Sequence, residues 1–184
     1  MKKVALILIW LVCLAILIVS ATCLVYYGVL PLDAKQFPGY YGDLCIPSVG
    51  INVPCVLVDG EAEGSKYLQF IVHQKNCAAM FWMSNGVIIN GEELGAWCIG
   101  DHNYQGFDVL AQCEIGDEAT FTNVNGNVEK YTVTKVFTGH NTKGDLVDEN
   151  MESVVEYNLG GIILYTCLDS WENVQIVFLQ PIES

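Results

Sequence analysis

Residues 4–30 are almost wholly apolar, interrupted only by Ser20, Thr22 and Gly28, and this run fixes the first division of the chain. Roughly 20 apolar residues in a helix, at ~1.5 Å rise each, span a bilayer. Lys2 and Lys3 precede the run, and no acidic residue occurs before Asp33. The positive-inside tendency then sets the N-terminus in the cytoplasm and the remainder outside. Three parts follow: one N-terminal transmembrane helix as membrane anchor over 1–30, a Pro- and Gly-bearing linker over 31–42, and an extracellular domain over 43–184. A cleaved signal peptide is the rival reading, although its apolar core usually runs to about 7–15 residues. Ser20-Ala21-Thr22-Cys23 is a poor lipoprotein cleavage box, with neither Leu at its head nor a small residue before Cys.

The whole chain carries a formal net charge of −13, and two of its few cations, Lys2 and Lys3, lie before the apolar run. The exterior part is therefore more acidic still. Phosphate backbones and anionic head groups repel such a surface, so nucleic acid is not expected as a partner.

Beyond residue 42 the apolar residues come in short runs broken by turn formers. Asp43–Val49 and Gly50–Leu57 read as two strands, with Pro47 and Pro54 confining them to edges or irregular pairing. Asp59–Lys75 reads as a short helix or a strand. Ala78–Ile89 is apolar and rich in large residues, and Gly95–Gly100 reads as a buried strand. Residues 105–114 suit one or two helical turns. Glu118–Thr122 and Val128–Phe137 read as a hairpin around Asn125-Gly126, the second arm showing period-2 alternation. Thr142–Asn158 is polar with a modest helical pattern at Leu146, Met151, Val154, Val155 and Tyr157. Ile162–Thr166 and Val174–Leu179 are the last strands. Seven or eight short strands with little helix predict an all-β domain, a small barrel or sandwich with one core.

Eight cysteines occur. Cys13 and Cys23 fall in the apolar run as packing residues. An oxidising exterior permits disulfides, and Cys45 with Cys55, flanking a strand-turn-strand, is the foremost candidate pair. His73 and Cys77, four apart, supply too few ligands for zinc. Cys167 stands apart, since it ends an apolar strand run and precedes an acidic turn. A thiolate nucleophile needs a proton-accepting or cationic neighbour. His102, in Gly100-Asp101-His102-Asn103, follows another strand and is the natural choice. In a barrel those two strand ends can be neighbours. Gly139-His140-Asn141 offers a second histidine, read as a loop residue.

Ile163-Leu164-Tyr165-Thr166-Cys167 is similar to the Thr-Leu-x-Thr-Cys motif of the sortases, cysteine transpeptidases on the surface of Gram-positive bacteria. Gly100-Asp101-His102-Asn103 resembles their Ala-Gly-His-Asn motif. Phe107, Leu110, Gly116-Asp117 and Tyr131-Thr132-Val133 follow in the family's order, and Ile46-Pro47 with Gly50-Ile51 resembles its first strands. The resemblance covers roughly residues 43–180. It implies an eight-stranded β-barrel with a few short helices, anchored at a cell membrane by a single N-terminal pass. It also implies catalysis by Cys167 and His102, with Thr166 and Asn173 beside the substrate. The implied partners are secreted proteins bearing a C-terminal sorting signal of the Leu-Pro-x-Thr-Gly type and an amine acceptor on a cell-wall precursor or pilin. Neither cofactor nor metal is implied as a requirement. Asp145, Asp148 and Glu149 are candidates for calcium only by charge and place, and a solvated acidic face is the simpler reading.

The chain departs from the family in one respect that bears on chemistry: it has no arginine. Sortases carry an Arg on the strand after the nucleophile, and Gln175 takes that place in the sequence. An amide can donate to an oxyanion, though a neutral hydrogen bond is weaker than a charge-assisted one; the other reading of Gln175 is an ordinary strand residue. Asp101, in place of the family's Gly, either favours the imidazolium or faces water. Three functions remain open at this level: a transpeptidase, a non-catalytic module binding extended peptides or surface proteins, and a disulfide-stabilised surface domain.

Overall fold

The computed structural model describes residues 2–26, 33–58, 66–74, 77–142, 145–170 and 172–182. An N-terminal helix, α1 (Lys2–Tyr26), comes first. Its described side chains are those of residues 7 and 9–24, and all are exposed. Counted over the described residues, no helix is long and apolar enough to cross a membrane. Much of the predicted anchor over 1–30 lies outside the described side chains.

The described strands form a barrel. Its strands are β1 (Tyr40–Ile46), β2 (Ile51–Leu57), β3 (Ala78–Ile89), β4 (Glu92–Gly100), β5 (Glu118–Asn123), β6 (Val128–Thr142), β7 (Asp145–Val147), β8 (Ile162–Cys167) and β9 (Asn173–Pro181). They form one sheet in the order β5-β1-β2-β3-β4-β8-β9-β6-β7, and β5 also pairs with β6. That last pairing closes eight strands into a ring and leaves β7 flanking β6. Two neighbour pairs are parallel, β2 with β3 and β4 with β8. A parallel pair needs a crossover connection; a short helix, α2 (Lys66–Val72), lies between β2 and β3.

Two apolar layers hold the barrel. The inner layer takes residues from all round the ring, including Leu44, Ile51, Met80, Ile99, Leu164 and Val177. The outer layer packs Leu68, Ile71 and Val72 of α2 onto Cys98, Ile163, Val174 and Ile176. Alternate residues of β8 and β9 therefore enter opposite layers, as a period of two requires. Each fully buried Leu or Ile stabilises by roughly 1.5–3 kcal/mol relative to exposure.

Local chemistry explains where the elements differ from the sequence reading. Tyr40–Gly42, assigned to the linker, begin β1, because Tyr41 packs against Trp97 and Phe121 at 5.7 and 6.0 Å between ring centroids. Pro54 sits within β2, opposite Asp43, while the β2–β3 ladder begins only at Cys55; the missing N–H falls outside it. The hairpin turn uses Gly126 at φ +79°. The helical pattern over 142–158 does not form a helix. Asp148 accepts the amides of Asn150 and Glu152 at 2.8 and 3.0 Å, and Met151 sits at φ +64°. Among the described residues that turn leaves only β7 and one 3₁₀ turn, Val154–Tyr157. Residues 105–114 likewise supply a single 3₁₀ turn, Leu110–Gln112.

The cysteine pairing is corrected. Cys45 lies opposite Asn52, and Cys55 opposite Gly42, so the two thiols are out of register, on opposite faces of the ladder. All eight cysteines are free.

Candidate active site

β4 and β8 run parallel, with Trp97 beside Ile162 and Gly100 beside Tyr165. Three hydrogen bonds carry the alignment past the end of β4. The Asp101 amide donates to the Tyr165 carbonyl at 3.4 Å. The Thr166 hydroxyl donates to the Asp101 carbonyl at 2.7 Å. The Asn103 amide side chain donates to the Leu168 carbonyl at 2.6 Å. These bonds hold the turn that carries His102 against the end of β8 that carries Cys167. Within β8, Cys167 belongs to the face that carries Ile163 and Tyr165. The structure thus brings together the two strand ends that sequence reasoning joined.

Asp101 organises the turn that bears His102. Its carboxylate accepts the His102 amide on Oδ1 at 2.7 Å and the Gly106 amide on Oδ2 at 2.9 Å. The residue is 5% exposed, so it does not face water. A Cβ on residue 106 would run into Val53 and the Asp101 carboxylate; glycine lets the loop close. Burial pushes the Asp101 carboxyl up to about 8, against the two amide bonds that favour its charge.

The His102 ring is half-buried and stacks on Tyr104, centroids 4.8 Å apart at 12°. A second ring, His73 just beyond the end of α2, lies 5.3 Å away at 46°. His102 Nε2 is buried and has no hydrogen-bond partner among the described residues. Burial first, then His73, holds the imidazole below its ordinary value. Cys167 is half-buried too, and burial raises its thiol while its own backbone amide partly offsets that. Both shifts favour the uncharged forms, a thiol and a neutral imidazole.

Three other candidates are placed differently from expectation. Gln175 lies opposite Thr166 on β8 and Thr138 on β6, whereas Cys167 lies opposite Val174. Strand alternation therefore turns Gln175 to the other face. It is 6% exposed and its Nε2 donates to the Phe137 carbonyl at 2.9 Å, so its amide is not an oxyanion donor at Cys167. Thr166 is 3% exposed with its hydroxyl spent on Asp101; it joins β8 to the His102 turn. Asn173 shapes the β8–β9 turn, its side chain donating to Asp169 at 3.0 Å and its carbonyl accepting the Leu168 amide at 2.9 Å. His140, read as a loop residue, lies within β6 opposite Asn173, on the face away from Cys167.

Sequence reasoning missed His73 and Tyr104. Tyr104 is two residues after His102 and was open to notice. No spacing rule connects His73, which reaches the site only because α2 docks on the outer layer.

The Asp145 carboxylate accepts the Ser153 hydroxyl, and Asp148 serves its own turn. Among the described residues no three metal-ligating side chains gather.

The barrel with these two strand ends matches solved sortases over most of its length. Sortase E1 from Streptomyces coelicolor, solved with a tripeptide in its active site, aligns at a TM-score of 0.55 and 16% identity, over 80% of this chain and 91% of that one. The fold is sortase-like. A sortase D5 transpeptidase of Clostridium perfringens aligns at 0.52 and 15% identity, over 81% of this chain and 84% of that one. Sortase A of Listeria monocytogenes aligns at 0.50 and 17%, over 79% and 89%. No protein-family model and no curated protein matches the chain in sequence. At these identities the sortase-like likeness is one of fold.

Proposed function

We propose that the chain is a membrane-anchored cysteine transpeptidase of the sortase type on a Gram-positive bacterium. The observation that carries this reading is the parallel β4–β8 pair, whose C-terminal ends lead to His102 and Cys167, in a sortase-like barrel. The Cys167 sulfur attacks a backbone carbonyl in the sorting signal of a secreted protein. Its proton passes to His102, which gives it to the leaving amine as the C–N bond breaks. The thioester is then attacked by an amine of a cell-wall precursor or pilin. His102 takes that amine's proton and returns it to the thiol. With the Gln175 amide turned away, backbone N–H groups are left to hold the oxyanion. The apolar run at 4–30 and the exposed apolar side chains of α1 support a single-pass anchor, with the barrel outside the cell.

The test is intact-mass spectrometry of the full chain, in mild detergent, after incubation with a library of sorting-signal peptides. A Cys167-dependent acyl adduct, absent in Cys167→Ala, is the expected result. No adduct across a broad library removes the catalytic reading.

The lack of arginine and the inward turn of Gln175 favour a second reading, a sortase-fold module that binds extended peptides without processing them. Peptide binding that survives in Cys167→Ala, with no adduct in the unmodified chain, selects it.

A further inference from the structure

The His102 ring meets another imidazole that no motif assigns. His73 follows the last turn of α2, where its amide donates to the Gln69 carbonyl at 3.1 Å. The helix is fixed by Leu68, Ile71 and Val72, all buried in the outer layer. Just beyond its end, the His73 ring lies 5.3 Å from that of His102. Tyr104, on the loop itself, stacks on His102 at 4.8 Å. One ring belongs to the loop, and the other is brought by a separate element.

We propose that His73 belongs to the candidate site as a positioning residue, fixing the His102 ring from α2 and controlling when that ring takes up a proton. The physical basis is short range and low polarity. Two cations at this separation repel, and the repulsion grows as water is excluded. A protonated His73 thus opposes a second proton on His102 and keeps that ring a proton acceptor, the form required to take the Cys167 proton. Four groups bear on the balance: Asp101 and Tyr104 on the same loop, His73 from α2, and Cys167 from β8. Asp101 is directed to backbone amides, Tyr104 contributes its ring face, and burial favours the neutral Cys167 thiol. His73 is the neighbour able to place a positive charge there.

The inference rests on the role given to His102 above, and its test does not need turnover. The full chain in mild detergent is titrated by NMR through the His102 ring Cε1–H resonance, assigned by its loss in His102→Gln. His73→Gln removes the neighbouring charge and moves the His102 midpoint upward. His73→Lys keeps a cation there and holds the midpoint below that of His73→Gln. Identical midpoints in all three proteins overturn the proposal. A measurement on the unaltered chain guards against variants that misfold. Rings this close give an Overhauser cross-peak between their carbon-bound protons, and its absence also overturns it. A chain that forms no peptide adduct yet shows the shifted titration would remove the transpeptidase reading and leave the His73 assignment standing.

Discussion

The Thr166 hydroxyl donates to the Asp101 carbonyl at 2.7 Å, joining the strand that ends in Cys167 to the turn that carries His102. One buried hydrogen bond thus spans the two halves of the candidate site. Thr166→Val keeps the shape and leaves that carbonyl without its donor. An unsatisfied buried group costs about 1–3 kcal/mol, so the variant should lose stability in that range on urea denaturation. Peptide adduct formation should fall with it as His102 loses its register. Thr166→Ser should restore most of both. A Val variant as stable and as reactive as the parent would show that the bond does not set the register.

Asp101 gives the fold a pH dependence of unusual sign. Its carboxyl is pushed up to about 8 by burial, above its value in the unfolded chain. Between roughly pH 4 and 8 the folded state therefore holds a proton that the unfolded state has released. Stability from this group falls as pH rises across that window. Urea midpoints should decline accordingly, and Asp101→Asn, with nothing to titrate, should flatten that part of the profile. A parent profile already flat there would refute the assignment.

Cys167 should be a slow thiol. Burial raises it above the ordinary value, so little thiolate is present at pH 7. Iodoacetamide labelling, mapped to Cys167 by peptide mass, should be slow at neutral pH and climb through and beyond the normal thiol range. Fast neutral labelling would mean that His102 already holds the thiol proton at rest.

Gln175 should matter to the barrel rather than to the chemistry. Gln175→Ala removes the side-chain bond to the Phe137 carbonyl and should cost about 0.5–1.5 kcal/mol, with adduct yield from the folded fraction little changed. Gln175→Arg forces a charge into a buried position and should destabilise further without raising adduct yield. A folded Ala variant losing about 10²–10³ in rate, the size associated with a missing oxyanion donor, would reinstate Gln175 at the site.

The barrel was legible in the sequence because its cues are local. Period-2 runs, Asn125-Gly126 and the Pro and Gly breaks act over a few residues and survive into the fold. The pattern at 142–158 misled because its apolar positions answer to a turn built by the Asp148 carboxylate, which competes with a helix for the same backbone amides. Gln175 misled for a similar reason. Its distance from Cys167 along the chain says nothing of face, and one residue of register reverses a strand side chain.

By itself, the sequence determined the class of fold, the apolar N-terminal run and the choice of Cys167 and His102, since each depends on residue type and near neighbours. Tertiary structure decided the rest: that β4 and β8 lie side by side in register, that Gln175 and Thr166 turn away from the thiol, and that His73 arrives from α2. Those are questions of which strands pair and which layer each side chain enters, and such contacts between distant segments are set by packing the whole barrel at once.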